Sequence, residues 1–189
     1  YNVTNKLNLF ADLQYRMVFY EATSVKFDDV NDTFRFFNPK AGLNYQLDEK
    51  NAFYGYFGIA NKEPRRDDYE SGAIKPERLF DYELGWKYNS KKVKLSANAF
   101  YMRYNDQLVA TGELNDVGSA KFINVPKSYR LGLEIESIVN ITDKFIVQPN
   151  LTLSTAKSQD FYFQLNGNLE NLGSTNLSFS PNFIFGNRF

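Results

Sequence analysis

The sequence has 189 residues, 22 basic against 22 acidic side chains, 17% aromatic residues, no Cys and no His, which is enough length for one β domain. A formal net charge of zero denies the cationic excess of a nucleic-acid binder. The missing Cys excludes disulfides and thiolate chemistry, and the missing His removes the commonest general base and transition-metal ligand, so neither a hydrolytic triad nor a zinc site is expected.

No stretch approaches the roughly 20 apolar residues of a membrane-spanning helix. A membrane barrel, however, hides its lipid face in alternation that averaged hydropathy misses. The first periodic segment, 7–15, puts Leu7, Leu9, Ala11, Leu13 and Tyr15 on one parity and Asn8, Phe10, Asp12 and Gln14 on the other, which is the period of a strand. A second, starting near Phe34, alternates Phe37, Pro39, Ala41, Leu43 and Tyr45 with Asn38, Lys40, Gly42 and Asn44, and ends at the turn formers Asp48 to Asn51. The third, 52–60, is aromatic on both parities (Phe53, Phe57; Tyr54, Tyr56), so its facing stays open. Tyr82, Leu84, Trp86 and Tyr88 oppose Asp81, Glu83, Gly85 and Lys87, and after Asn89 to Lys92 the chain returns through Val93, Leu95, Ala97, Ala99 and Tyr101 as a hairpin. A second hairpin runs through Leu131, Leu133 and Ile135, turns near 140–144, and returns through Phe145, Val147, Pro149, Leu151 and Leu153. Leu177, Phe179, Pro181, Phe183 and Phe185 make the eighth candidate strand.

Connection length alternates. Tight turns near 48–51, 89–92 and 140–144 take turns with long polar loops near 20–33, 61–78, 105–127 and 156–176. Short periplasmic turns and long extracellular loops are the arrangement of an outer-membrane barrel, which also needs tilted strands of roughly 9 to 11 residues. Asp12, Arg16, Lys40, Lys87 and the charged set Asp81, Glu83, Arg130, Glu134 and Glu136 then face a wet lumen, while Tyr15, Tyr45, Tyr88 and Tyr101 suit an interfacial girdle. A soluble antiparallel sandwich shows the same alternation, but the aromatic load of the outer parity and the sorted loops favour the membrane. The fold expected is an all-β, antiparallel transmembrane β-barrel wall, one domain over 1–189.

Several segments add a resemblance. The stretches 37–45 (FNPKAGLNY), 60–69 (ANKEPRRDDY), 75–78 (KPER) leading into 81–86 (DYELGW), 98–109 (NAFYMRYNDQLV), Thr111-Gly112 and 128–134 (SYRLGLE) occur in order and resemble the barrel domain of TonB-dependent receptors, most of all those of the Bacteroidetes. The resemblance implies a roughly 22-stranded barrel, plugged by a separate N-terminal domain, that imports a scarce nutrient such as a siderophore–iron complex or another large solute through the TonB complex. It also implies a bacterial outer-membrane location, contact with outer-membrane lipids, no cofactor, and in some members a surface lipoprotein over the loops. The eight strands here contain neither plug nor TonB-contacting segment, and the family's last strands are not found before Phe189, so the chain reads either as part of a longer receptor or as the part of one that was identified.

The resemblance puts Arg65, Arg66, Asp67, Asp68 and Tyr69 near the barrel mouth, where they are candidates for ligand or plug contact; the bland alternative is a solvated loop root. Glu77, Asp81 and Glu83 form an inward carboxylate row that suits an ion-pair ladder with Arg or Lys of neighbouring strands better than a metal site. Asp67 with Asp68, or Glu134 with Glu136 at roughly 7 Å spacing along a strand, have acid/base geometry, but any polar lumen does too. Gly42, Gly85 and Gly132 on inward parities read as room for curvature or close packing. Phe189 mimics a terminal outer-membrane aromatic, a coincidence or truncation in this family. Three rivals remain: a self-contained eight-stranded barrel for adhesion or anchoring, a barrel serving as scaffold in an outer-membrane complex, and an outer-membrane phospholipase, which the absence of His disfavours.

Overall fold

The computed structural model describes residues 1–23, 29–115, 118–165 and 168–185, with main chain only within 160–172. Phe189 and parts of the loops near 20–33, 105–127 and 156–176 therefore lie outside the described residues. Eight strands follow one another: β1 (Leu7–Ala22), β2 (Val30–Gln46), β3 (Asn51–Lys62), β4 (Glu77–Asn89), β5 (Val93–Leu114), β6 (Ala120–Thr142), β7 (Phe145–Leu165) and β8 (Asn168–Phe185), with one short helix, α1 (Arg66–Glu70), between β3 and β4. They form a single sheet in sequence order, every neighbouring pair antiparallel. Chain neighbours become sheet neighbours because a hairpin closes with a short connection, whereas a crossover needs a dozen or more residues.

The strands run well past the alternating segments. β5, β6 and β7 have 22, 23 and 21 residues, about twice what crosses the hydrocarbon layer. The long loops expected at 105–127 and 156–176 are thus corrected to the outer halves of two hairpins, and that at 20–33 is shortened by β1 and β2. Main-chain pairing does not need strict apolar alternation, so the β5–β6 ladder continues from Gln107↔Val125 to Leu114↔Ala120 through mixed sequence and a register shift. Tyr15 and Tyr101 consequently sit within strands, not at their ends. The 61–78 connection keeps a substantial non-strand part. The short turns all lie at the opposite end of the sheet; in the first, the Asp48 carboxylate accepts the N–H groups of Lys50 and Asn51 at 2.8 and 2.9 Å. The Lys50 N–H and the Asn51 side chain hold the Asp48 carboxyl below its usual range.

Register settles the facing of β3. Phe53 lies between Tyr45 and Trp86, and Gly55 between Leu43 and Leu84, on the outer face; Tyr54 and Tyr56 lie on the inner face opposite Gly85 and Gly42. A Cβ at Gly85 would overlap the Tyr54 ring, and one at Gly132 would fall 2.6 Å from the Phe100 ring and 2.7 Å from the Leu153 carbonyl oxygen. These glycines are the floor on which cross-strand aromatics lie, which is close packing as expected from their parity. On the outer face, the rings of Phe57, Tyr82, Tyr101 and Tyr129 follow one another at 5.0, 6.1 and 6.2 Å, and Leu13, Leu84 and Leu177 stand more than two-thirds exposed. Among the described residues no helix is long and apolar enough to cross a membrane; the exposed apolar surface lies mostly on strands.

The sheet does not close. Among the described residues β8 pairs with β7 only, and β1 with β2, apart from a stub in which Leu9 N–H donates to the Tyr1 carbonyl at 2.8 Å and Asn2 bridges Asn8. A closed eight-stranded barrel would pair β1 with β8.

Candidate functional site

The connection from β3 to β4 does not stand free at the rim. Pro64 is fully buried and ends β3, and α1 follows. The Asp68 carboxylate accepts the Arg65 main-chain N–H at 2.7 Å, satisfying a donor that the first helical turn would orphan. Gly72 closes the helix in the left-handed region, φ 79°, and lets Ala73 N–H reach the Asp68 carbonyl at 2.8 Å. Two sets of contacts then stretch this segment across the sheet. On one side Glu63 takes both guanidinium nitrogens of Arg16 on β1 at 2.9 and 2.6 Å, and the Tyr69 hydroxyl donates to Asp32 of β2 at 2.6 Å while its ring stacks 5.2 Å from Tyr20 of β1. On the other, Asn124 of β6 accepts from Lys75 N–H at 3.1 Å and donates to the Lys75 and Asp106 carbonyls at 3.0 and 2.9 Å, and the Arg65 guanidinium lies 5.2 Å over the Phe122 ring. A segment rooted on β3 and β4 that touches both β1/β2 and β5/β6 requires the sheet to curl around it. It is a strap across the mouth, and it identifies the concave face.

The candidates at 65–69 divide accordingly. Asp68 and Tyr69 are buried, with Asp68 at 0% exposure. Arg65 and Arg66 expose 58% and 61% of their side chains, Arg66 lying 3.8 Å from Glu70, and Asp67 is half-buried with its carbonyl accepting from the Ser71 hydroxyl at 2.9 Å. Burial, the Asp32 hydrogen bond and its charge push the Tyr69 phenol well above its usual range. At Glu63 burial pushes the carboxyl up, but the Arg16 hydrogen bonds, its own main-chain N–H and the charges of Arg16 and Lys62 together hold the carboxyl below its usual range. Arg16, Asp32, Glu63 and Asn124 are the anchors that sequence reasoning missed. Their partners lie 37 to 49 residues apart along the chain, beyond any local motif.

On the concave wall the register lines up Asp12, Lys40, Gly58, Asp81, Met102 and Arg130 in one row, and Gly42, Tyr56, Glu83, Phe100 and Gly132 in the next. Glu134 lies opposite Asn98 and Thr152, and Glu136 opposite Ser96 and Asn150. The expected ion-pair ladder is therefore corrected: no described carboxylate of Glu77, Asp81 or Glu83 has a salt bridge, for Asp81 lies opposite Gly58 and Met102 and Glu83 opposite Tyr56 and Phe100, while Glu77, though opposite Lys62, takes a main-chain donor instead. Glu77 accepts the Leu108 N–H at 2.8 Å and Glu83 a long hydrogen bond from Asn98 at 3.4 Å. The inner cations instead lie over rings, Lys87 at 5.1 Å from Tyr54 and Arg130 at 5.5 Å from Tyr104. Lys40 stands 3.9 Å from Asp12. Among the described residues no group of three or more acidic side chains converges as a metal site would. The described wall offers a dense set of acceptors to whatever fills its concavity.

A family model described as "TonB dependent receptor-like, beta-barrel" matches residues 1–187. The chain belongs to this family. No curated protein matches the sequence. Among solved structures the chain is similar to the copper transporter OprC, with 17% identity and a TM-score of 0.64 over 82% of this chain and 26% of that one. It is also similar to the FrpB iron transporter from Neisseria meningitidis (F3-3 variant), with 20% identity and a TM-score of 0.62 over 82% of this chain and 24% of the other. The pyoverdine outer membrane receptor FpvA from Pseudomonas aeruginosa PAO1 bound to pyoverdine gives 22% identity and a TM-score of 0.60 over 85% and 24%. At such identities the likeness shows the fold, and the chain spans about a quarter of these structures' length. As a TonB-dependent receptor barrel segment the sheet lies in the bacterial outer membrane.

Proposed function

We propose that residues 1–189 are part of the barrel wall of an outer-membrane TonB-dependent transporter that imports a scarce large solute, a siderophore–iron complex being the leading class. Energy reaches it through the TonB complex by way of a plug domain seated against the concave face. The carrying observation is a curved antiparallel sheet with a lipid-compatible outer face, a polar inner face and two incompletely paired edges. Hydrocarbon offers no partners to an open edge, so further strands complete the ring, and this argues against a self-contained eight-stranded barrel. The wall does no chemistry of its own. Arg65 and Arg66 on the strap are the side chains a descending solute meets, and a surface lipoprotein capping the outer hairpins completes the picture.

The test is the native polypeptide in purified outer membranes, detected with an antibody to the β5–β6 hairpin. A band several times heavier than 21.9 kDa, together with solute uptake lost on deleting TonB, is the expected result. A heat-shifting band at 21.9 kDa would overturn it in favour of a complete small barrel.

A further inference from the structure

The convex face of the sheet carries charge of one sign near the mouth, and we propose that Arg78, Arg103, Lys127 and Lys157, on the outer parity of β4 to β7, bind the phosphates of an anionic lipid headgroup in the surface leaflet of the outer membrane. The inference needs only the outer-membrane location, so it stands or falls separately from transport. Register builds the patch. Phe80, Arg103, Tyr129 and Lys157 form one cross-strand row, and Arg78, Asn105 and Lys127 form the row above it. Each cation is thus a diagonal neighbour of the next, roughly 7 to 8 Å away, and none stands directly opposite another, where like charges repel. An anion fits between any two of them.

Nothing in the described protein already neutralises this charge. All four cations are exposed, and among the described residues none forms a salt bridge. The outer parity from Arg78 to Tyr88, from Val93 to Asn105, from Lys127 to Val139 and from Val147 to Lys157 holds no acidic residue. Arg78 is also held in position. The side-chain oxygen of the buried Asn38 accepts the Asn61 side-chain amide at 2.7 Å, which turns the Asn61 oxygen to receive the Arg78 Nε–H at 2.9 Å. That contact uses Nε alone and leaves the two terminal nitrogens, the fork with which arginine takes a phosphate.

Height and surroundings select a lipid over a free anion. A tilted strand crosses hydrocarbon in roughly 9 to 11 residues, and Arg103 lies about that far past Val93, where β5 begins. The patch is level with the root of the strap, because Lys62 and Glu77 adjoin Asn61 and Arg78 in the β3–β4 ladder, and the long hairpins put that end at the cell surface. Below the cations on the same parity come Tyr82 and Tyr101, and below these Leu84, Leu133 and Leu153. Cation, tyrosine, leucine is the order in which an anionic lipid presents phosphate, polar backbone and acyl chain. At the short-turn end the same strands finish this parity with Trp86, Tyr88, Val93, Val139 and Val147. Cations there would snorkel to a headgroup equally well, so their placement at one rim points to the leaflet that rim meets.

Native mass spectrometry of the whole receptor in detergent tests this, with titration by lipid A bearing two phosphates, by the same lipid dephosphorylated, and by inorganic phosphate. A cation near an anionic headgroup contributes about fivefold to binding. Arg103→Gln with Lys157→Gln should therefore weaken binding of intact lipid A roughly twentyfold, while Arg103→Lys with Lys157→Arg retains it and Lys144→Gln, at the short-turn end, leaves it unchanged. Dephosphorylated lipid A should bind the native receptor no better than intact lipid A binds the Gln double variant. Equal binding of the two lipids, or of one lipid to native and Gln variants, would mean an unspecific acyl belt and would overturn the site. Displacement of lipid A by inorganic phosphate at equal concentration would mean a free-anion site and would overturn the lipid class. A heat-shifting band shows that the double variant is folded; if it is not, Lys127→Gln alone reads the same site, with a loss of about fivefold expected and no loss overturning the proposal.

Discussion

The outer end of the sheet and its membrane band are built from the same eight strands, yet they are held together by different forces. At the outer end Phe36, Tyr69, Ala73, Tyr104, Leu108 and Val125 are buried beneath or beside the strap, and burial from water supplies the stabilisation. In the band large apolar residues stand exposed, Leu13, Leu84 and Leu177 most of all among the leucines. There lipid replaces the core, and the main-chain ladder with inner-face polar contacts sets the structure. One sheet thus obeys the rules of two solvents, and substitutions separate them.

The largest effect belongs to the lipid face. Leu84→Arg places a charge near mid-bilayer and is expected to destabilise the receptor by about 2–4 kcal/mol. Glu83→Arg, one residue earlier but on the wet face, should stay within about 0.5 kcal/mol. Denaturant unfolding of the two variants in detergent or vesicles checks this, and equal losses would break the two-solvent account. Next is packing on the inner face. Gly132→Ala drives a methyl against the Phe100 ring and the Leu153 carbonyl and should cost about 1–3 kcal/mol in the same assay, with Phe100→Leu restoring part of it. At the mouth Asp68→Ala orphans the Arg65 N–H and frees its guanidinium. A local loss of about 1–3 kcal/mol should appear as faster amide exchange over 65–73, with global unfolding barely moved.

Much of this architecture is legible in the sequence, and the reasons it stops being so are physical. Period-two alternation finds all eight strands because lipid and lumen impose opposite demands on successive residues. It leaves β3 undecided, since Tyr54 and Tyr56 are aromatic like Phe53 and Phe57, and only the register shows Gly85 and Gly42 opposite the tyrosines. Strand ends are misjudged where the outer hairpins rise into water, for there pairing continues after alternation has lost its cause. Charge parity puts Asp81, Glu83, Arg130, Glu134 and Glu136 on one face but cannot pair them, because pairing depends on register. At 65–69 composition picks out a notable segment but cannot separate the exposed Arg65 and Arg66 from Asp68 and Tyr69, whose burial depends on Asp32, Tyr20 and Phe122 from distant strands.

The smallest effect sharpens the comparison most, because it is specific to the mouth. Glu63 is held below its usual value of 4.5 by the Arg16 fork against the opposing pull of burial. A carboxyl whose folded value is depressed stabilises the structure above its unfolded value, and that contribution fades as pH falls through the folded one. The strap should therefore be fully anchored to β1 at neutral pH and begin to loosen below pH 4.5. Both partners are partly exposed, 37% and 27%, so the contribution is below about 1 kcal/mol. Amide exchange at 65–73, corrected for its intrinsic pH dependence, should rise on acidification in the native receptor. In Glu63→Gln it should start higher and stay flat. The membrane-band ladders of β4 to β6, whose carboxylates Asp81, Glu83, Glu134 and Glu136 have no salt bridge to lose, should not follow the same profile; if they soften in parallel with the strap, the two ends of the sheet are one cooperative unit and the separation drawn between them fails.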